Sequence, residues 1–242
     1  MNILILGASS DIGIKLLETL KDKDYKIGAH CYKNDIKLKK FKKKFHSFKI
    51  FKQNLSSQKD SLKLFRSYMK WSKKIDVLVH LSGNVSKIKN WENLPEKNLM
   101  NDYKLNFSSI FFLVQKIFNS MKKKGGKILL TSTSSAIHGG GEDSFGYGLA
   151  KLNLLYLSKA LARFGGKYNI ISNCINPGYI DTKFHTKVMK RSRKDLSIRK
   201  TKNKLGRAGS PKEVAEFILF LISRKTNYYT GQDFNIDGGD WI

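Results

Sequence analysis

Short apolar runs alternate with amphipathic stretches along the whole chain. Residues 2–6 are an Ile- and Leu-rich run that ends at Gly7, and from Ile12 onward Leu16, Leu17 and Leu20 share one helical face. That pattern predicts a strand, a tight glycine turn and a helix. Further strands are predicted over 26–32, 48–51, 75–81, 127–131, 170–175 and 234–236, and helices over 35–45, 61–71, 95–123, 147–164 and 211–221. The run 75–81 is apolar almost throughout, as a parallel strand covered on both faces requires. Gly125-Gly126 and Gly165-Gly166 end helices, and Ser210-Pro211-Lys212-Glu213 has the form of a capping box with proline in the first turn. Strand and helix alternate from end to end, which predicts an α/β fold: one open, doubly wound parallel sheet with helices on both faces, in a single domain over 1–242.

Composition changes this picture little. A chain of 242 residues with 40% hydrophobic residues can fill one substantial core. Its 46 Lys and Arg against 19 Asp and Glu give +27, a charge that attracts polyanions. The lysines are spread over solvated faces such as 37–44, without a recognised nucleic-acid motif, so no specific nucleic-acid partner is predicted. Cys31 and Cys174 lack metal-ligand spacing, which predicts no metal site and a reducing, cytoplasmic location. The first residues enter a strand without a secretory pattern, and the apolar windows 75–81 and 217–222 fall short of the ~20 residues that span a bilayer.

Candidate chemistry sits at strand ends, where ligands of such sheets bind. In Gly7-Ala8-Ser9-Ser10-Asp11-Ile12-Gly13, small residues let backbone N–H groups and a helix N-terminus approach a pyrophosphate. Asp11 stands where another glycine is common and can cap the helix. In 132–151, a hydroxyl cluster and a glycine-rich loop precede Tyr147 and Lys151, four residues apart and on one helical face. A free phenol ionises near pH 10, so a shift of about 3 units, or about 4 kcal/mol, would bring it to neutrality; Lys151 and the positive ring of a bound oxidised cofactor are the expected sources.

Taken in order, GASSDIG, Asn106, the serine cluster, Tyr147-Gly-Leu-Ala-Lys151, Asn176-Pro-Gly-Tyr-Ile-Asp-Thr182 and the tail ending NIDGG resemble the short-chain dehydrogenase/reductase family, and within it the 3-oxoacyl-thioester reductases. The resemblance covers practically the whole chain. It implies a Rossmann-type sheet and an NAD(P)(H)-dependent oxidoreductase that moves hydride between nicotinamide and a ketone or secondary alcohol. Tyr147 would be the general acid or base, Lys151 its partner and a holder of the nicotinamide ribose, and Asn106 the opener of a helix in the proton relay. Counting thirteen residues back from the tyrosine selects Ser134 as the carbonyl-polarising hydroxyl, whereas counting forward from the strand selects Thr133.

The same resemblance implies cofactor contacts at Gly7, Ser9, Ser10, Ile12, Gly13, Asn54, Leu55, Gly83, Pro177, Gly178, Ile180 and Thr182, with Tyr147 and Lys151. The family's Asn-Asn-Ala-Gly is His80-Leu81-Ser82-Gly83 here, so adenosine-side contacts differ. No acid precedes Asp35 at the end of the second strand and Lys33 is at hand, which favours NADP(H) and leaves NAD(H) open. The lid segment, 183–204, holds ten Lys or Arg and one acid, Asp195, and predicts a small carbonyl substrate that is anionic or carrier-bound. A sugar or nucleotide-sugar oxidoreductase and a non-catalytic dinucleotide sensor are the alternatives. The family's habit implies a homodimer or homotetramer through helices 95–123 and 147–164.

Overall fold

The apolar runs become parallel strands β1 (Asn2–Leu6), β2 (Lys26–Cys31), β3 (Ser47–Lys52), β4 (Val77–His80), β5 (Gly126–Thr131), β6 (Ile170–Pro177) and β7 (Asp233–Ile236). The computed structural model describes residues 1–88, 90–223 and 228–240. The strands lie in the order β3-β2-β1-β4-β5-β6-β7. The order reverses between β1 and β4, and a crevice opens there outside the strand ends.

Period-two alternation sorts each buried strand between two cores. Ile3 and Ile5 of β1 face one side with Val77 and Val79 of β4, where α1 (Asp11–Leu20) supplies Leu16, Leu17 and Leu20. Leu4 and Leu6 face the other with Leu78, Ile128 and Leu130. The chain also forms α2 (Ile36–Lys39), α3 (Gln58–Ser72), α4 (Glu96–Tyr103), α5 (Ser109–Met121), α6 (Ser135–His138), α7 (Phe145–Gly165), α8 (Arg193–Lys202) and α9 (Pro211–Ser223). Val214, Ile218 and Leu221 of α9 join α1 on the first face, and α3, α5 and α7 cover the second.

Two predicted helices differ. The basic helix expected over 35–45 is helical only at α2; beyond it the backbone continues as turns, with N–H groups of Phe41, Lys42 and Lys44 donating to carbonyls three residues back. Six lysines between 37 and 44 place like charges at helical spacing, which opposes a regular helix. The segment is held instead by rings: Phe41 and Phe45 are buried, and Phe45 stacks on Phe48 at 5.4 Å.

The long helix predicted over 95–123 is interrupted by a π turn, Lys104–Ser108, between α4 and α5. Its centre is Asn106. The predicted capping box is present: Glu213 N–H donates to Ser210 Oγ at 3.2 Å, and Ser210 N–H donates to Glu213 Oε2 at 2.7 Å. Residues 183–204 contain a second π turn, Phe184–Val188, followed by α8. Both cysteines are buried and free, and among the described residues no helix is long and apolar enough to cross a membrane.

Candidate active site

A cleft of about 1130 Å³ runs along the strand ends, from the β1 turn to the lid. At its first end Gly7 has φ +72°, and a Cβ there would lie 2.8 Å from the Leu81 carbonyl carbon and the Ser82 nitrogen. Only glycine lets the turn pass this close to the end of β4. Ser10 caps α1 by accepting the Gly13 N–H at 3.1 Å, and a Cβ on Gly13 would sit 2.6 Å from the Ala8 carbonyl oxygen. The turn therefore presents the N-terminus of α1 to the cleft, an arrangement that suits a phosphate.

Asp11 does not cap this helix. Its carboxylate accepts the Lys183 N–H at 2.7 Å and pairs with Lys37 at 2.9 Å, so it ties the lid and the loop after β2 to the glycine turn. Burial pushes its pKa up, but these bonds and charges outweigh it and hold the carboxyl below the usual range.

His30, at the end of β2, braces the same turn. Its Nδ1 accepts the Gly7 N–H at 3.3 Å, and its Nε2–H donates to the Gln53 carbonyl at 2.9 Å. That pair of bonds requires the neutral ring. Burial agrees with it, pushing the pKa down to about 4.

The central chemistry is built on α7 and the π turn. Lys151 is buried, and its Nζ donates to the Thr131 carbonyl at 2.8 Å and the Ser82 carbonyl at 3.1 Å, the ends of β5 and β4. Burial brings its pKa down to about 8. The Nζ lies 5.8 Å from the Tyr147 ring centroid. Asn106 Oδ1 accepts the Asn84 N–H at 3.0 Å, while its Nδ2 donates to the carbonyls of Asn84 and Asp102. Gly83 separates the two: a Cβ there would be 3.3 Å from Asn106 Oδ1 and 3.4 Å from Lys151 Nζ.

The Tyr147 hydroxyl departs from the expectation that Lys151 lowers it. Burial, then the charge of Asp102, pushes it above the ordinary phenol range. The physical reason is that the Lys151 ammonium is itself desolvated and directs its hydrogen bonds to backbone carbonyls. Asp102 is buried one turn before Asn106; Oδ1 accepts the Ser86 N–H at 2.8 Å and Oδ2 is unpartnered. Gly146 leaves room for it, since a Cβ there would lie 3.1 Å from Oδ2.

Among the clustered hydroxyls, Ser132 Oγ donates to the Lys151 carbonyl and Thr133 Oγ1 accepts the Ser135 N–H. Ser134 is fixed by its backbone, whose N–H donates to the Pro177 carbonyl at 3.0 Å. Its hydroxyl has no hydrogen bond among the described residues, and the residue lines the cleft.

The cleft collects Gly7, Ser9, Ser10 and Ile12 from the first turn, and Gly83, Tyr147 and Lys151 from the centre. Pro177, Gly178, Ile180 and Thr182 line it beyond β6. Asn106 stands behind Gly83, outside the lining. Four expected contacts do not line it either. Gly13 is packed on Ala8, and Lys33 places its Nζ 4.9 Å from the Tyr32 ring centroid. Asn54 donates to Ser56 Oγ, and Leu55 is buried in the core with Leu64 and Tyr68. In their place the end of β2 offers Tyr32, Asn34 and Lys37. Sequence spacing misses Lys37 because a continuous helix over 35–45 gives no reason to single it out among six lysines. His80 is fully buried, kept neutral by burial and by Lys151, and lies outside the lining.

A family model described as Enoyl-(Acyl carrier protein) reductase matches residues 7–240. A 3-oxoacyl-(acyl-carrier-protein) reductase of Chlamydia muridarum is 28% identical, over 98% of this chain and 86% of its own. An acetoacetyl-CoA reductase of Rhizobium meliloti is 27% identical, over 99% and 98%. Among solved structures, a short-chain dehydrogenase/reductase from Serratia marcescens superposes with TM-score 0.89 at 21% identity, covering 100% of this chain and 98% of that one, a likeness of fold.

The depressed pKa of His30 has a direct consequence for stability. A histidine near 6.5 unfolded and about 4 folded contributes fully above pH 6.5, and that contribution is lost as the pH falls toward 4, because the unfolded chain then binds the proton more readily. The melting temperature of the protein is expected to fall across this window. His30→Gln should lower it at pH 7.5 and flatten the fall; an equally steep fall in the variant would show that His30 does not carry the linkage.

Proposed function

The chain belongs to the short-chain dehydrogenase/reductase family, whose members are NAD(P)-dependent oxidoreductases, and we propose that it is an NADPH-dependent carbonyl reductase of the 3-oxoacyl-thioester type. The observation that carries the reading is the buried Lys151 beside Tyr147, with the unengaged Ser134 hydroxyl in the same cleft and the α1 N-terminus at its other end. The cleft fits a dinucleotide. Its glycine turn is cleared for close approach, and Ser82 Oγ and Thr131 Oγ1, both in lining residues, are buried without partners. A bound reduced nicotinamide supplies the hydride.

The residues of the chain do the rest. Ser134 donates its hydroxyl hydrogen to the substrate carbonyl oxygen and orients it. Tyr147, kept protonated by burial and by Asp102, gives its phenolic proton to that oxygen. The raised pKa keeps the proton on the phenol but weakens it as an acid, so its transfer relies on the negative charge that hydride arrival places on the carbonyl oxygen. Lys151 fixes α7 against the ends of β4 and β5 and so positions the phenol, and Asn106, by opening the helix at the π turn, keeps the route behind Lys151 polar. The two named reductases act on 3-oxoacyl carrier protein and acetoacetyl-CoA, which supports a thioester substrate for this chain.

Lys37 is the cation we assign to a 2′-phosphate, because it lines the cleft just past β2, where Asp11, 2.9 Å away, is its acidic partner and a phosphate would compete for its ammonium. The outer side of α7 exposes Leu149, Leu152, Tyr156 and Phe164, with Tyr156 79% exposed. This supports a homo-oligomer that covers α7.

Tyr147→Phe is expected to lower kcat/KM for acetoacetyl-CoA by about 100- to 10,000-fold, while NADPH binding followed by fluorescence persists. Full activity in that variant would remove Tyr147 as the acid, and no NADPH oxidation by the parent with any oxoacyl thioester would refute the substrate class. Lys37→Glu should cut the kcat/KM preference for NADPH over NADH at least about tenfold; an unchanged ratio would place the phosphate elsewhere. By light scattering, Tyr156→Asp should yield a smaller species than the parent, and identical masses would exclude the α7 surface as the interface.

A further inference from the structure

We propose that the lid end of the cleft binds a second, anionic group of the substrate, a carboxylate or phosphate placed a short apolar distance from the reacting carbonyl, with Arg199 as its principal ligand and Arg191 beside it. This rests on the reductase reading above and names the substrate class within it.

Half of the ten basic residues of 183–204 line the cleft: Lys183, Lys187, Arg191, Arg199 and Lys202. Others, such as Arg193, Lys194 and Lys200, are exposed and lie outside the lining. The lid is therefore not merely a lysine-rich surface. It turns two guanidinium groups inward, and the Nε of each is buried without a hydrogen-bond partner.

The two arginines differ in what already engages them. Arg191 pairs with Asp143 Oδ1 at 2.8 Å, which joins the lid to the loop just before Tyr147. Arg199 lies over the Tyr179 ring at 5.8 Å, and no carboxylate comes within 4.0 Å of it among the described residues. Asp240, which also lines the cleft, faces the His138 ring, with Oδ2 3.7 Å from Nε2. A half-buried guanidinium with an open planar fork is suited to a carboxylate or phosphate in bidentate geometry.

The electrostatics of neighbouring groups agree. His185, also in the lining, is pushed down to about 4 by burial and then by the charges of Arg199 and Arg191. Burial and the nearby Arg191 lower Arg199 as well, against the pull of Asp240 and Asp143. The lid end thus carries a net positive field that an incoming anion relieves.

The rings set the spacing. The Tyr147 ring is 6.0 Å from that of Phe184, and Phe184 is 5.8 Å from His185, which meets Tyr179 edge-on at 4.9 Å beneath Arg199. Phe184 thus stands between the reacting phenol and the arginines. A ketone at Ser134 and Tyr147, a short hydrocarbon stretch over Phe184 and an anion at Arg199 fit that order. A carrier's own phosphate at the mouth would not require inward-facing arginines.

The test compares matched pairs with NADPH: 3-oxoadipate against its dimethyl ester, and dihydroxyacetone phosphate against dihydroxyacetone. For the parent, kcat/KM should favour the charged member of at least one pair by about tenfold or more, and the pair that shows it identifies carboxylate or phosphate. Arg199→Gln should bring that ratio near one, whereas Lys200→Gln, on exposed surface of the same helix, should keep it. No preference in either pair, or a preference that survives Arg199→Gln, overturns the proposal. Turnover of the neutral members alone leaves the reductase reading standing while the anion site falls. If no ketone is turned over, calorimetry on the NADPH-loaded protein decides the anion site separately. Binding of glutarate or inorganic phosphate that is lost in Arg199→Gln supports it, and absence of binding overturns it.

Discussion

A desolvated ammonium holds the centre of this protein together. Lys151 reaches from α7 to the carbonyls that end β4 and β5, so one side chain fixes the helix to two neighbouring strands of the sheet. Water is replaced around it by backbone oxygens, at the cost of part of its basicity. Its neighbours are chosen around that contact. Gly83 has no side chain to displace it, Ser132 binds its carbonyl, and the π turn at Asn106 brings a polar side chain up behind it. Because the ammonium is spent on these carbonyls, the phenol of Tyr147 answers to burial and to Asp102 instead, and rests protonated.

Asp11 is the second organising contact, and it acts between parts of the cleft. In a position where glycine would leave an open phosphate approach, its carboxylate binds the root of the lid through Lys183 and the loop after β2 through Lys37. The two ends of the cleft are therefore tied together through one residue. A strongly basic chain can use such an acid: it gathers two cationic segments that would otherwise repel each other across the crevice.

How much could be read from the chain alone differs by element. The central strands are legible because both of their faces are apolar, and the glycine turn because Gly7 and Gly13 answer to contacts a Cβ would violate. The 35–45 segment was not, since Leu38, Phe41 and Phe45 recur at helical spacing while charge repulsion and ring packing favour turns. At the site, the Tyr147–Lys151 pair can be read from helical spacing, whereas Asn106 is singled out only by the family resemblance. Lys33 lies on the Tyr32 ring while Lys37 lines the cleft, a difference that proximity to β2 along the chain does not reveal.

The alternation of strand and helix, the parallel sheet, the glycine-cleared turn and the tyrosine–lysine pair are all written in the order of residues, because each rests on local periodicity or on a fixed helical spacing. The remainder came with the packing of the folded chain. That packing engaged Ser132 and Thr133 in hydrogen bonds while Ser134 faces the cleft, and it made Asp11 a tie rather than a cap. It also separated the inward arginines of the lid from the outward ones. Each of these depends on which segments distant in sequence come to lie against one another, and on the water that their contact removes.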